Sequence, residues 1–286
     1  MKKSITLFFS TFLFSLCVIS CSDDDDNLKL TKENGKPSGI TYADKSEAFF
    51  YYEGNKLKTI KEIKGTISEY EYEAGELVSV SYSPEDKAVA DGHSSVNFEQ
   101  LEGNKINIES WGEPSSNLYR WELELDDSGL PQKMTEVGVF AHDGSGQVVK
   151  KIEGEFYAKY IYDSATKNLT QIKLYRKNTS ALHSTYDFEY DNNPGVMSKI
   201  DLPLWYYAYA AYRNKDFSGN FNKLFYCYSN NILKETKMLN DVMGFGVDLM
   251  DVEPVVITYS YSYNKENYPE TQASSQYDLN PIKITY

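Results

Sequence analysis

The sequence predicts a mainly β protein: a long antiparallel meander of hairpins curled into a barrel-like roll, with one short helical insertion. Three observations carry this. Short segments alternate apolar and polar residues, as in Trp121-Glu122-Leu123-Glu124-Leu125, Tyr186-Asp187-Phe188-Glu189-Tyr190 and the Ile257 to Tyr263 stretch. Period-two alternation puts every apolar side chain on one face of a strand, so one face is dry and the other wet. Turns of Gly, Asn and Asp then separate these segments along the whole chain. Finally, an open sheet of that many strands curls, because strand twist accumulates across it.

Residues 1–20 read as a secretory signal: Lys2 and Lys3, then an apolar run from Ile5 to Ile19 that ends at Ser20-Cys21. The run is broken by Ser10, Thr11 and Ser15, and it is too short for a spanning helix. No comparable run follows, so no transmembrane segment is expected in the mature chain. Residues 21–38 are polar and read as an acidic segment and flexible tether. Residues 39–286 read as one antiparallel β-roll domain.

Within that domain the strands are joined by a recurring unit. An aromatic residue or leucine is followed by a four-residue turn and then by an apolar residue five positions on. The unit runs from Tyr52 to Leu57, Tyr72 to Leu77, Leu101 to Ile106, Leu125 to Leu130, Tyr228 to Leu233, Tyr263 to Tyr268 and Tyr277 to Ile282. Longer turns link Tyr162 to Leu169 and Tyr190 to Val196. Gly and Asn tolerate positive φ there, and Asp bonds back to the local backbone. Nine units predict about eighteen strands. Their spacing is too uneven for a solenoid or a propeller. The segment from Leu202 to Tyr212 differs, with Pro203 at its start, Ala208, Ala210 and Ala211 inside, and no turn residue. It is expected to form a short helix over 203–213 that plugs one end of the roll. Residues 239–254, with Gly244, Gly246 and Pro254, read as a long loop.

Two short motifs resemble those of known families. Val18-Ile19-Ser20-Cys21 resembles the lipobox of bacterial lipoproteins, in which the signal is removed at a cysteine that is then acylated. Ser22-Asp23-Asp24-Asp25-Asp26 resembles the export signal of Bacteroidota surface lipoproteins. In the domain, Tyr259-Ser260-Tyr261-Ser262-Tyr263-Asn264-Lys265-Glu266-Asn267-Tyr268-Pro269 resembles the Tyr-x-Tyr-x-Tyr-Asp/Asn-x-x-Gly-Tyr-Pro repeat of Bacteroidota lipoproteins of the DUF4595 type, a domain of unknown function with a porin-like fold. Tyr186 to Ile200 and Tyr228-Ser229-Asn230-Asn231-Ile232 are similar to the same family. Asn267 stands where that family often has Gly. The resemblance implies the roll and a lipid anchor at Cys21 in the outer membrane, facing the cell exterior. It carries no known activity and no catalytic residues.

The formal charge of −13 argues against nucleic acid or anionic lipid as a partner. Acidic wet faces (Glu69, Glu71 and Glu73, with Glu122, Glu124, Asp187 and Glu189) argue against a barrel that spans lipid. Removal of the signal and acylation of Cys21 leave one thiol, Cys227, so no internal disulfide is available. Cys227 lies in an aromatic strand-like stretch and reads as a buried structural residue.

Signals for chemistry are weak. His93, His142 and His183 read as loop residues without a second histidine at ligand spacing, so no zinc motif is present. No Gly-x-Ser-x-Gly elbow and no phosphate-binding loop occur. Asp126-Asp127-Ser128-Gly129 and Asp143-Gly144-Ser145-Gly146 read as turns rather than calcium loops. Neither a catalytic residue nor a cofactor is expected. Twenty-five tyrosines and three tryptophans exceed what a core of this size needs, and Trp111, Trp205 and Tyr206 are the ligand-binding candidates, with Trp111 beside Gly112 and Pro114. The leading reading is a lipid-anchored, non-enzymatic binding module for a glycan or a protein ligand. An accessory subunit of an outer-membrane complex is the alternative, and a carboxylate-based hydrolase the third.

Overall fold

A computed structural model describes residues 35–42, 44–85, 94–112, 117–143, 145–214, 227–240, 253–275 and 281–286. The signal peptide, Cys21, Ser22 and Asp23 to Asp26 lie outside the described residues, as do His93 and most of the expected 239–254 loop.

Seventeen strands form one sheet. The first nine are β1 (Gly39–Thr41), β2 (Glu47–Glu53), β3 (Lys56–Glu62), β4 (Thr66–Glu73), β5 (Glu76–Pro84), β6 (Ser94–Leu101), β7 (Lys105–Gly112), β8 (Asn117–Leu125) and β9 (Pro131–His142). Next come β10 (Val148–Glu153), β11 (Phe156–Tyr162), β12 (Leu169–Arg176) and β13 (Leu182–Pro194). After the helix α1 (Leu204–Asn214), the chain ends with β14 (Asn230–Leu239), β15 (Val255–Tyr263), β16 (Pro269–Ser274) and β17 (Ile282–Thr285). Every pairing is antiparallel. Gly39 sits opposite Phe49 of β2 on one side and Thr285 of β17 on the other, so the two chain-terminal strands close the sheet into a barrel. β10 and β11 share one edge of β9: residues 138–142 take β10 and residues 133–135 take β11. These two strands therefore fill one position, and the barrel has sixteen staves.

The repeated turn unit has a common geometry. A register shift falls immediately before Tyr52, Tyr72, Leu125, Tyr162, Tyr190 and Tyr263. A bulge there bends the strand and raises its twist, which favours curling. Asn267 adopts φ 65° in its turn, the left-handed conformation for which glycine is the usual alternative. Asp126 Oδ1 accepts from Ser128 N, Ser128 Oγ and Leu130 N, so this acidic stretch is a closed turn. Asp143 does the same with Ser145 and Gln147.

Among the described units, those at Tyr190 and Tyr228 depart from the hairpin pattern, and together they explain the helix; the turn after Tyr277 lies outside the described residues. Tyr190 pairs with Ile232 and Pro194 with Asn230, so β13 and β14 are hairpin partners joined by residues 195–229. Within that connection, α1 lies inside the barrel. From Trp205 to Tyr212 every residue of the helix is buried. A helix apolar on all sides must be enclosed, and here the barrel wall encloses it. Tyr160 donates to the Ala208 carbonyl at 3.2 Å, and Tyr212 to Glu136 Oε1 at 2.6 Å. The expected end plug thus extends into the lumen. Inward-facing Phe50, Ile60, Val80, Phe98, Ile108, Trp121, Ile172 and Phe188 pack in one continuous cluster with the helix. The outer face carries ion pairs instead, such as Lys105–Glu122 and Lys133–Glu124, both 2.8 Å.

Candidate functional site

The three aromatic candidates separate into two environments. Trp205 and Tyr206 lie on α1, only 5% and 3% exposed. The Trp205 ring packs 4.9 Å from Phe98, and Tyr206 reaches the Tyr70 hydroxyl at 3.4 Å. Neither ring keeps an open face, because the helix that carries them fills the lumen. Trp205 does border a shallow groove of about 620 Å³ where α1 begins, together with Glu76, Gln100, Leu125, Ser128, Gly129, Pro203 and Leu204.

Trp111 lies within β7, near its end, and is 37% exposed on the outside of the barrel. It pairs with Leu118 of β8, which pairs in turn with Phe140 of β9. Antiparallel partners share a face, so the three form an apolar row across three adjacent strands. Leu118 is buried between the two aromatics. His142, two residues beyond Phe140 and on the same face, sets its ring 5.1 Å from that of Trp111 at 40°. It closes a strand rather than occupying a loop, and His183 lies within β13, with Phe156 5.0 Å away. Arg120 and Lys151 lie 5.1 and 5.7 Å from the Phe140 ring. Arg120 also pairs with Glu109. The result is an aromatic surface edged by cations, a geometry that offers stacking and charged hydrogen bonds together.

Sequence alone marks His142 only as a loop residue and does not single out Phe140, Leu118 or Arg120. Their signal is a break in alternation: Leu118-Tyr119 and Val139-Phe140-Ala141 are apolar on both faces of their strands. Two-sided apolarity in a wall with a wet exterior marks an outer patch.

Among the described residues no group of three His, Cys, Asp or Glu side chains is placed to hold a metal ion. The displaced carboxylates, such as Asp126, Asp143 and Asp163, are shifted downward by hydrogen bonds from Ser and Thr in their own turns. A general acid requires the opposite shift. Burial pushes the Cys227 thiol up to about 12, which removes it as a nucleophile.

No family model matches the chain, and no curated protein does. Among solved structures, the chain is similar to a porin-like protein from Bacteroides vulgatus, at 12% identity and a TM-score of 0.40, covering 88% of this chain and 98% of that one. It is also similar to part of the Photorhabdus luminescens Tc holotoxin pore, at 12% identity and a TM-score of 0.18, covering 82% of this chain and 15% of that one. A TcdB2–TccC3 structure gives 11% identity and a TM-score of 0.19, covering 84% of this chain and 14% of that one.

Proposed function

We propose that this protein is a lipid-anchored, non-enzymatic surface module that binds a glycan through the outer face formed by Trp111, Phe140 and His142. The observation that carries the reading is the aromatic row on the outer face, exposed at Trp111 and half-buried at Phe140 and His142, with cations at its edge. Sugar rings present C–H faces that stack on aromatic side chains, and Arg120 and Lys151 would hold hydroxyl or acidic substituents.

The position of the row supports the reading. Gly35 lies against Tyr268, and Lys36 donates to the Gly54 carbonyl at 2.7 Å, so the chain enters the barrel at the rim bearing the tyrosine turns. Trp111 stands at the opposite rim, beside the end of β7. An anchor at Cys21 would therefore place the aromatic row away from the membrane. The tether from Cys21 to Gly35 reaches at most about 50 Å when extended. The charged exterior also supports an anchored rather than an inserted barrel. Arg or Lys facing mid-bilayer costs roughly 2 to 4 kcal/mol each, and the outer wall bears Lys105, Arg120, Lys133 and Lys234.

A glycan array probed with residues 27–286 tests the binding, with Trp111→Ala as the control. Binding lost in the variant is the expected result, and silence on every glycan sinks the reading. Cys21→Ala should release the protein from the membrane fraction. Replacing Asp23 to Asp26 by Ala should leave it lipidated but facing the periplasm.

A further inference from the structure

At the far rim the barrel wall is stepped. β9 pairs along one edge with β11 up to Thr135, and above Gly138 with β10. β12 pairs with β11 but ends at Arg176, opposite Phe156, below the level of β10. Among the described residues no strand pairs with the second edge of β10. Its six residues, Val148 to Glu153, are all exposed, with Val148, Val149 and Ile152 at 54%, 63% and 51%. The step is built into the backbone. Gly138 has φ 155°, and a Cβ there would fall 2.4 Å from the Ile152 carbonyl oxygen, so only glycine lets β10 cross at this height.

We propose that the open edge of β10 is a docking site for an extended acidic segment of a partner protein, added as a further strand. An unpaired edge offers a row of N–H and C=O groups that pair with any strand of suitable register. Six residues span about 20 Å, enough for a short augmenting strand. The side chains choose the partner. Lys150 sits opposite Ala141 and Lys151 opposite Phe140, so these adjacent cations face opposite sides of the strand, and Lys151 pairs with Glu153 at 2.6 Å. A partner strand with two consecutive acidic residues flanked by apolar ones would place one carboxylate against each lysine and apolar side chains against Val149 and Ile152. A second copy of this chain is disfavoured as occupant. Any two-fold pairing centred on the middle of β10 sets lysine against lysine, and like charges directly opposite are destabilising.

The test uses the full barrel and an acetylated, amidated octapeptide centred on Val-Glu-Glu-Val, followed by fluorescence anisotropy at low salt. Saturable binding is expected. The double variant Lys150→Glu/Lys151→Glu should weaken it at least tenfold, and N-methylating alternate peptide amides should abolish it. Lys151 borders both this edge and the glycan surface, and Trp111→Ala, which should leave peptide binding unchanged, tells the two sites apart. Absence of saturable binding overturns the proposal, as does equal affinity for the N-methylated peptide. Concentration-dependent dimers that compete with the peptide would identify a second copy as the occupant and overturn it too.

Discussion

Tyr72 donates its hydroxyl to the backbone carbonyl of Leu57 at 3.0 Å, joining the end of one hairpin to the turn of the hairpin before it. The relation repeats around the rim. Tyr52 donates to Pro37 at 2.7 Å, Tyr190 to Leu169 at 2.8 Å, Tyr261 to Ile232 at 2.8 Å and Tyr286 to Pro269 at 3.1 Å. Each acceptor stands beside the turn that precedes the donor's strand in the barrel. These tyrosines thus stitch neighbouring turns while their rings pack against the core, which accounts for five of the twenty-five tyrosines without a ligand.

Tyr72→Phe keeps the ring and removes the donor. One neutral hydrogen bond contributes about 0.5 to 1.5 kcal/mol net, so the unfolding free energy should fall by that amount, with a lower urea midpoint and an unchanged slope. Because Tyr52 and Tyr72 act on different turns, Tyr52→Phe/Tyr72→Phe should show nearly additive losses. A change in slope would instead mean that the variant alters the compactness of the native or unfolded state.

How far the sequence reveals this depends on the range of the interaction. The Tyr52 and Tyr72 turns are local, so spacing and turn chemistry identify them. Closure through Gly39 and Thr285 is not local: nothing near either residue records that they pair. The Tyr190 and Tyr228 units look like ordinary turns in sequence, yet they bracket the helical insertion, because Asp191 accepts from Asn231 N at 2.9 Å across 40 residues. Trp205 and Tyr206 looked available because aromatic content does not say which side of a wall it occupies. Trp111 drew attention by its loop-like flanks, but Leu118, Phe140 and His142 join it only through strand register.

Alkaline pH should unfold the barrel. Burial holds the hydroxyls of Tyr70, Tyr160, Tyr206 and Tyr207 above their ordinary value of 10.0. A proton bound more tightly in the folded state contributes stability that is fully present below that value. The contribution is lost as pH rises through the folded-state values. Tyrosinate absorbance from these rings should therefore appear together with loss of β-sheet circular dichroism. Exposed tyrosines should titrate earlier, without loss of structure. Full ionisation near pH 10 with the sheet intact would show that the lumen is wet.

Cys227 supplies a probe of plug opening. With its thiol pushed up to about 12, only about one molecule in ten thousand carries the thiolate at pH 8. An exposed cysteine is roughly one-quarter ionised there. Alkylation at Cys227, followed by peptide mass, should be more than a thousandfold slower in the native protein than in urea. Rapid native labelling would mean that the packing around Cys227 and α1 opens in the folded protein.

Trp205→Ala and Trp111→Ala should differ sharply, because the same ring is removed from opposite sides of the wall. Trp205 contacts Phe98 in the cluster that holds α1, and emptying such a site costs roughly 3 to 5 kcal/mol. Trp111 keeps 37% of its surface in water and covers Leu118, so its removal exposes apolar surface at a smaller cost, about 1 to 2 kcal/mol. Thermal denaturation should show a large fall in Tm for Trp205→Ala and a clearly smaller one for Trp111→Ala. A large loss from Trp111→Ala would mean that the row is structural and would remove the reason for assigning it a ligand.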